Sequence, residues 1–300
     1  MIAFASNSLL CRAALRQTPI DPATFTLARI FAGALALWVI FQARRKLMVD
    51  RTAWPLVESS GLSSPVTNAS PARTPSTLKD GNWLSAFALF AYAAAFSFAY
   101  VDLAAGTGAL LLFGAVQATM IFWGFAHGER LDGLQIIGLV AAIAGLVILL
   151  LPGITAPPIA GSLLMISAGI AWGIYSLRGR KTENPVAATA GNFLRAIPFV
   201  VLVSLALLRQ AKFDSLGLLY ATISGAITSG VGYVIWYAAL PGLKRTSAAT
   251  VQLSVPVIAA AGGIVFLHEP ITWRYLAASI TVLGGIGLVV FERARAAETS

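Results

Sequence analysis

The strongest constraint on this chain is a series of apolar runs, each about as long as a membrane is thick. An α-helix needs about 20 apolar residues to cross a hydrocarbon core of roughly 30 Å. Runs near that length recur along all 300 residues, bounded by Gly, Pro or charged residues. They do not alternate apolar and polar residues, so helices are predicted rather than barrel strands. The ten predicted spans are about 1–16, 23–43, 82–101, 106–126, 133–151, 159–177, 185–208, 216–240, 246–267 and 272–291.

Composition supports a membrane protein and excludes a soluble globule. Hydrophobic residues make up 58% of the chain and charged residues 11%, with a mean hydropathy of +0.80. Such a chain has too little polar surface to face water on all sides. Arg12 and Arg16 interrupt the first run early, so it is short for a span unless Arg12 faces a wet cavity. The single cysteine, Cys11, excludes an internal disulfide.

Basic residues predict the orientation of the spans. Most of the 21 Lys and Arg fall on the side of the predicted spans that carries both termini, so both termini are expected in the cytoplasm. The net charge of +9 is interpreted as this orientation signal, and no nucleic-acid partner is predicted. The segment 44–81, rich in Ser, Thr, Pro and Arg, is predicted to be a flexible inner loop without a folded domain.

The two halves of the chain resemble one another. When Glu129 is placed on Glu269, the same offset places Phe96 on Trp236. Five helices per half is an odd number, so the halves are expected to enter the membrane from opposite sides. Inverted repeats of this kind are typical of transporters that alternate access around a central site. The two predicted repeats are 1–152 and 153–300.

The segments YVDLAAGTGALLLFGAVQATMIFWGFAHGERLDGLQIIGLVAAIAGLVILLL and FLHEPITWRYLAASITVLGGIGLVVF resemble the paired repeats of the EamA-type drug/metabolite transporter superfamily. SNSL and WGIYSLRGR resemble the opening helices of its repeats, and DPATFTLAR the second helix. Within the superfamily, the chain is most similar to bacterial exporters of aromatic amino acids. The resemblance implies an all-α integral membrane protein with ten transmembrane helices, as two inverted five-helix repeats in the bacterial inner membrane. Phe4-Ala5 and Val116 depart from the usual Trp-Gly and Pro of the family.

Arg29 is the sharpest candidate for a substrate contact. It lies about eight residues past Asp21, which is roughly 12 Å deep at 1.5 Å per residue. An unpaired charge at that depth costs several kcal/mol, so Arg29 must face a cavity or a partner. Either it holds a substrate carboxylate through a bidentate pair, or it braces a neighbouring helix through backbone carbonyls. Arg195 poses the same choice.

Aromatic residues form two stripes at helical spacing, one on the third predicted helix and one on the eighth. Because Phe96 and Trp236 correspond under the repeat, the stripes are predicted to flank one central site. Packing against lipid or core is the alternative for each of these side chains. The predicted substrate-binding set is Asn7, Arg29, Tyr92, Phe96, Tyr100, Gln117, Trp172, Tyr175, Asn192, Tyr233, Trp236, Tyr237 and Gln252.

The polar stretch FAHGERLDG, between two long runs, is predicted to be a tight turn in which Asp132 caps the following helix. Glu129 and Glu269 are interpreted as structural residues at span ends rather than coupling-ion sites, and the two histidines as interfacial. Pro256 lies mid-span and should remove a backbone hydrogen bond, so a kink or hinge is expected there.

The favoured function is a secondary transporter that exports small amphipathic metabolites, amino acids including aromatic ones among them, by alternating access through a central cavity. No Asp or Glu lies deep in a span and no Walker A motif occurs, so passage down the substrate gradient is favoured, with no cofactor or metal. Three alternatives stay open: a multidrug or other metabolite exporter of the same fold, an intramembrane enzyme, and a small-molecule sensor. Neither GxSxG nor a His/Asp cluster supports the enzyme. The expected partners are a small-molecule substrate and the lipid bilayer, with the chain a monomer or weak homo-oligomer.

Overall fold

The computed structural model describes residues 1–52, 81–128, 132–153, 156–179, 184–239 and 251–298, with only the backbone described at 44–52, 185, 237–239 and 292–298. Every regular element within these ranges is helical. The helices are α1 (Ile2–Gln17), α2 (Pro22–Thr52), α3 (Trp83–Ala99), α4 (Ala105–Ala126), α5 (Gly133–Leu150), α6 (Ile159–Gly179), α7 (Pro185–Ala206), α8 (Ser215–Ile223, Ser224–Val231 and Gly232–Ala239 in succession), α9 (Ser254–Leu267) and α10 (Trp273–Glu298).

Seven helical stretches are long and apolar enough to cross a membrane. The helices Trp83–Ala99 and Ser254–Leu267 are apolar but shorter. The prediction of an all-helical, multi-span membrane protein is therefore confirmed, whereas the number of ten spans and the inverted arrangement stay predictions. The seven stretches are Pro22–Ala43, Ala105–Ala126, Gly133–Leu150, Ile159–Gly179, Val186–Ala206, Ser215–Trp236 and Trp273–Phe291.

Helix α2 is longer than the sequence predicted. The inner loop was expected to begin at residue 44, but the helix continues to Thr52. The polar residues that end the membrane span do not end the helix, because Arg and Lys are themselves good helix formers. The remainder of the predicted loop, 53–80, lies outside the described residues.

The predicted cap of α5 is confirmed. Asp132 is the N-cap residue and forms a capping box, in which its carboxylate and the Gln135 side chain satisfy backbone N–H groups of the first turn. His127, on the other side of this link, is exposed and its ring stacks on Trp123. Glu129 lies outside the described residues.

Pro256 was predicted to lie mid-span and to produce a kink or hinge, which stays a prediction. Residues 251 and 252 are helical, the helix is interrupted at Leu253, and α9 begins at Ser254, so Pro256 lies in the first turn after this interruption. The chain turns at Leu253, just before the helix. Pro198, by contrast, lies inside α7 and does remove a hydrogen bond from the helix interior.

Helices α5 and α10 pack with their backbones in contact, because small residues line both helices at this contact. A Cβ added to Gly145 would lie 2.9 Å from the Val282 nitrogen, and one added to Gly138 would lie 2.9 Å from Val289 Cγ2 and press on the Gly285 carbonyl. This contact, which we call the glycine seam, joins the last helix before residue 152 to the last helix of the chain.

Candidate functional site

Arg29 is buried in the core, with 2% of its surface exposed. Its Nη2 donates a hydrogen bond to the Tyr92 hydroxyl at 3.0 Å. The guanidinium carbon lies 4.8 Å from the ring centroid of Phe96 and 5.4 Å from that of Tyr92, so both rings contribute cation–π attraction. Its Nη1 is buried and has no hydrogen-bond partner among the described residues. This geometry differs from a brace to backbone carbonyls. It leaves one guanidinium nitrogen, Nη1, without a hydrogen bond.

The backbone of Arg29 is fixed by direct contact with α8. A Cβ added to Gly225 would press on the Arg29 carbonyl oxygen and lie 3.0 Å from the Gly33 nitrogen. Only glycine fits at 225, because α2 and α8 meet backbone to backbone at this level. Gly225 belongs to the middle stretch of α8, Ser224–Val231, which is a π-helix. Such wide turns occur frequently at functional sites.

A buried polar cluster lies on the same stretch of α8. The Asn7 Oδ1 accepts hydrogen bonds from the hydroxyls of Ser224 at 2.8 Å and Ser229 at 3.4 Å, and also from that of Thr228. All four side chains are buried. The cluster joins α1 to the π-helical stretch and supplies hydroxyls in an otherwise apolar core.

Aromatic side chains from five helices meet beside Arg29. The Trp172 ring centroid lies 4.8 Å from that of Tyr92, 5.3 Å from Tyr233 and 5.4 Å from Tyr175. Phe4 approaches Tyr233 at 5.7 Å between centroids. We call this set the aromatic cluster, and its members are Phe4, Tyr92, Phe96, Trp172, Tyr175, Phe193, Tyr233 and Trp236.

Two members of the aromatic cluster and several hydroxyl residues were absent from the predicted set. Phe4 replaces the Trp that is usual in the family, and this departure was the signal that could have identified it. Phe193 and the hydroxyls of Ser224, Thr228 and Ser229 lie in apolar runs, where neutral residues carry no signal of depth or charge.

Tyr100 and Asn192 have hydrogen-bond partners at the two ends of α3. The Tyr100 ring meets Phe96 of the aromatic cluster edge-on at 4.7 Å between centroids and packs on Gly108, and its hydroxyl donates to the Ala105 carbonyl at 3.2 Å. Asn192 Oδ1 accepts from the Asn82 backbone N–H at 2.9 Å, at the opposite end of α3. The first hydrogen bond joins the end of α3 to the start of α4, and the second joins α7 to the start of α3.

Three predicted residues have no described contact with the aromatic cluster. Gln117 is buried within α4, and Gln252 is half-buried just before α9. The Tyr237 side chain lies outside the described residues.

An ion pair closes the bundle at one end. The Arg12 Nε donates to Glu269 Oε1 at 3.1 Å, and its Nη1 donates to the carbonyls of Tyr100 and Val101 at 3.0 and 2.7 Å. The Glu269 Oε2 accepts from the backbone N–H of Ala105, the first residue of α4, at 2.8 Å. Glu269 is 6% exposed, so the Arg12–Glu269 pair joins α1, the α3–α4 link and the α9–α10 link in a partly desolvated position.

At the other end, an arginine donates to two uncharged side chains. The Arg178 Nε, on α6, donates to the Ser85 hydroxyl at 3.0 Å, and its Nη2 donates to Asn82 Oδ1 at 3.2 Å. Because Asn82 caps α3, this contact joins α3 to α6. The core around Arg29 is thus cross-linked at both ends.

A multi-span helical protein whose described core holds a guanidinium nitrogen without a hydrogen bond, hydroxyls and aromatic rings has the groups expected of a membrane transporter for small solutes. Residues 159–291 of the chain match the model of the EamA-like transporter family. An uncharacterized protein of Pseudomonas aeruginosa is 50% identical over 293 residues, which cover 98% of this chain and 92% of that protein. Members of this family are transporters rather than enzymes.

Two further similarities extend this result. A probable amino-acid metabolite efflux pump of Salmonella typhimurium is 28% identical over 205 residues, covering 62% of this chain and 68% of that protein. A solved crystal structure matches with a TM-score of 0.62 at 18% identity, covering 98% of this chain and 96% of that one. At that identity, the structural match supports the fold alone.

Proposed function

We propose that this protein exports small amphipathic metabolites that carry a carboxylate, amino acids including aromatic ones among them, through a site formed by Arg29 and the aromatic cluster. The observation that carries the proposal is the unpartnered Nη1 of Arg29, a buried donor beside aromatic rings. The name of the Salmonella typhimurium relative, an amino-acid metabolite efflux pump, supports the same substrate class.

The physical argument starts from the energy of the buried charge. A guanidinium at this depth loses its hydration, and the Tyr92 hydroxyl and two ring faces replace that hydration only in part. A carboxylate would engage the free N–H groups and offset the buried charge. The rings of Trp172 and Tyr233 would then contact the apolar body of the same molecule.

Alternating access would follow from opening one end of the bundle at a time. The Arg12–Glu269 pair crosses one end and the Arg178 contacts cross the other. Since the core around Arg29 is closed by both, a substrate needs one of them to separate before it can enter or leave. Under this proposal the repeats 1–152 and 153–300 move about the site, both termini lie in the cytoplasm of a bacterial inner membrane, and the substrate gradient drives flux.

Flux in proteoliposomes tests the proposal. Purified protein should move labelled phenylalanine, threonine or alanine down a gradient, and collapsing a pH gradient should not abolish that flux. Alanine at Trp236, which contacts Phe4 at 6.1 Å between ring centroids, should lower phenylalanine flux several-fold and alanine flux much less. Trp273→Ala is the matched control, because that side chain is 85% exposed and faces away from the core.

Two outcomes would contradict the proposal. No flux of any amino acid by well-folded protein would exclude the substrate class. An unchanged phenylalanine-to-alanine flux ratio in Trp236→Ala, at matched protein levels, would remove the aromatic cluster from substrate recognition.

A further inference from the structure

We infer that the Arg29 site selects by net charge, binding a monocarboxylate anion more tightly than a zwitterion that has the same apolar body. The inference deepens the proposed function and rests on it. It concerns which carboxylates bind best, not whether amino acids are transported at all.

The first step is that no acidic side chain described in the structure neutralises Arg29. Five acidic side chains are described, and each lies in a link or at a helix terminus: Asp21, Asp102, Asp132, Asp214 and Glu269. The one that is buried, Glu269, is engaged by Arg12 and by the first turn of α4. The described site therefore carries one unneutralised positive charge, which a bound anion would cancel.

The second step concerns the ammonium group that a zwitterion would bring. A desolvated ammonium needs acceptors or a carboxylate nearby. The Asn7 Oδ1, the amide oxygen of the buried polar cluster, already accepts three hydroxyls, and the hydroxyl oxygens left to accept carry no negative charge. The acceptor that would suit an ammonium best is thus already occupied.

The third step is that the aromatic rings do not compensate for the missing carboxylate. Phe96 and Tyr92 attract cations, but both rings already lie beside the Arg29 guanidinium. An ammonium drawn to the same rings would lie near a like charge in a low-dielectric core, where repulsion is strong. A ligand with one carboxylate and an uncharged body avoids that repulsion.

Binding of three matched probes to the purified full-length protein in detergent tests the inference. The probes are 3-phenylpropanoate, L-phenylalanine and phenethylamine, which share a phenyl ring and differ in being anionic, zwitterionic and cationic. Isothermal titration at pH 7.5 should give a dissociation constant at least tenfold lower for 3-phenylpropanoate than for phenylalanine. Phenethylamine should bind most weakly.

Variants assign the ranking to Arg29. Arg29→Gln should bring the anion and zwitterion constants within about threefold of each other, because the charge that separates them is gone. Arg29→Lys should retain the ranking, and so should Tyr92→Phe, which removes the hydroxyl but leaves the guanidinium charge. Gel filtration and thermal unfolding verify that each variant is folded. If Arg29→Gln is not folded, the comparison of Arg29→Lys with wild type tests the inference.

The results separate this inference from the proposed function. Four results would each overturn the charge selection. In wild type, these are equal binding of phenylalanine and 3-phenylpropanoate, or no binding of any probe. In the variants, they are a ranking that survives in Arg29→Gln, or a ranking that is lost in Arg29→Lys. Amino-acid flux in proteoliposomes would then still stand as a separate measurement. Absence of all flux together with anion-selective binding would instead overturn the transport proposal.

Discussion

At the scale of single residues, Asp21 shows how one carboxylate organises a helix terminus. Its Oδ1 accepts from the backbone N–H groups of Ala23 and Thr24 at 2.9 and 3.0 Å, and its Oδ2 accepts from that of Lys212 at 2.8 Å. The carboxylate therefore caps α2 and also holds the link that leads into α8. Partial burial raises the pKa of Asp21, but the hydrogen bonds from Thr24, Lys212 and Ala23 outweigh it and lower the pKa below 3.8.

Asp21→Ala should lower the stability of the protein by about 1 kcal/mol at neutral pH, the usual value of an N-cap. Because the pKa is lower in the folded state, this contribution is complete above about pH 5 and is lost as the pH falls through the folded-state value, below 3.8. Thermal unfolding in detergent from pH 8 to pH 3 measures the difference. Asp102→Ala, at an exposed carboxylate, is the control. A stability difference that persists unchanged at pH 3 would contradict this account.

The sequence identified Arg29 because a charge in the middle of an apolar run has few explanations. It could not show that the Nη1 is unpartnered, since that depends on where Tyr92 and Phe96 lie in space. Tyr100 has the same helical spacing as those two residues, yet its hydroxyl is engaged by the Ala105 carbonyl. Periodicity identified the helix face correctly, but it could not predict how far along that face the site extends.

At the scale of elements, the Arg12–Glu269 pair explains why α1 tolerates a charge near its end. Arg12 was expected to need a wet cavity, and the structure instead gives it a carboxylate and two carbonyls. Glu269 is 257 positions away in the chain, so sequence position alone could not predict the pairing. The structural interpretation of Glu269 as a residue that stabilises helix ends agrees with its bond to the first turn of α4.

Glu269→Gln should weaken this end of the bundle. Removing one partner of a buried ion pair costs about 3–5 kcal/mol, and the lower figure is expected because the Arg12 side chain is 12% exposed. Cys11, the single cysteine, is buried one residue from Arg12 and reports on opening. Its labelling by a thiol reagent in detergent should be faster in Glu269→Gln and unchanged in Asp102→Asn. Equal labelling rates in the two variants would show that the pair does not hold this end closed.

The glycine seam between α5 and α10 offers a matched test of close packing. A Cβ at Gly285 would lie 2.7 Å from the Ala142 nitrogen, whereas one at Gly284 would meet nothing within 4 Å. Gly285→Ala should therefore destabilise the protein by about 1–3 kcal/mol through overpacking. Gly284→Ala should be neutral or slightly stabilising, because alanine favours the helix. Thermal unfolding of both variants in one detergent decides the matter, and equal melting temperatures would exclude backbone contact at the seam.

At the scale of the whole molecule, the helical fold and most helix bounds follow from the sequence. Long apolar runs in a bilayer have few alternatives to a helix, so periodicity and length were sufficient. Helix α2 continues past its apolar run, because backbone hydrogen bonding rather than hydropathy determines where a helix ends. The contacts at the two ends of the bundle could not be predicted from the sequence, because they join residues that lie far apart in the chain.

Orientation can be tested directly with introduced cysteines in a Cys11→Ser background. The basic residues predict that Ser64→Cys is cytoplasmic and that Gln210→Cys, exposed in the α7–α8 link, is on the opposite side. In intact cells, a membrane-impermeant thiol reagent should label residue 210 and spare residue 64. The reversed pattern would contradict the predicted topology.

The π-helical stretch of α8 also determines the direction in which the side chains after it point. Each residue of an ordinary α-helix advances about 100° around the axis, so a single residue accommodated in a wide turn rotates the rest of the helix by about that angle. Tyr233 and Trp236 come directly after Ser224–Val231 and point into the aromatic cluster. Deleting one residue from this stretch would therefore swing both rings toward lipid while changing no side chain of the aromatic cluster.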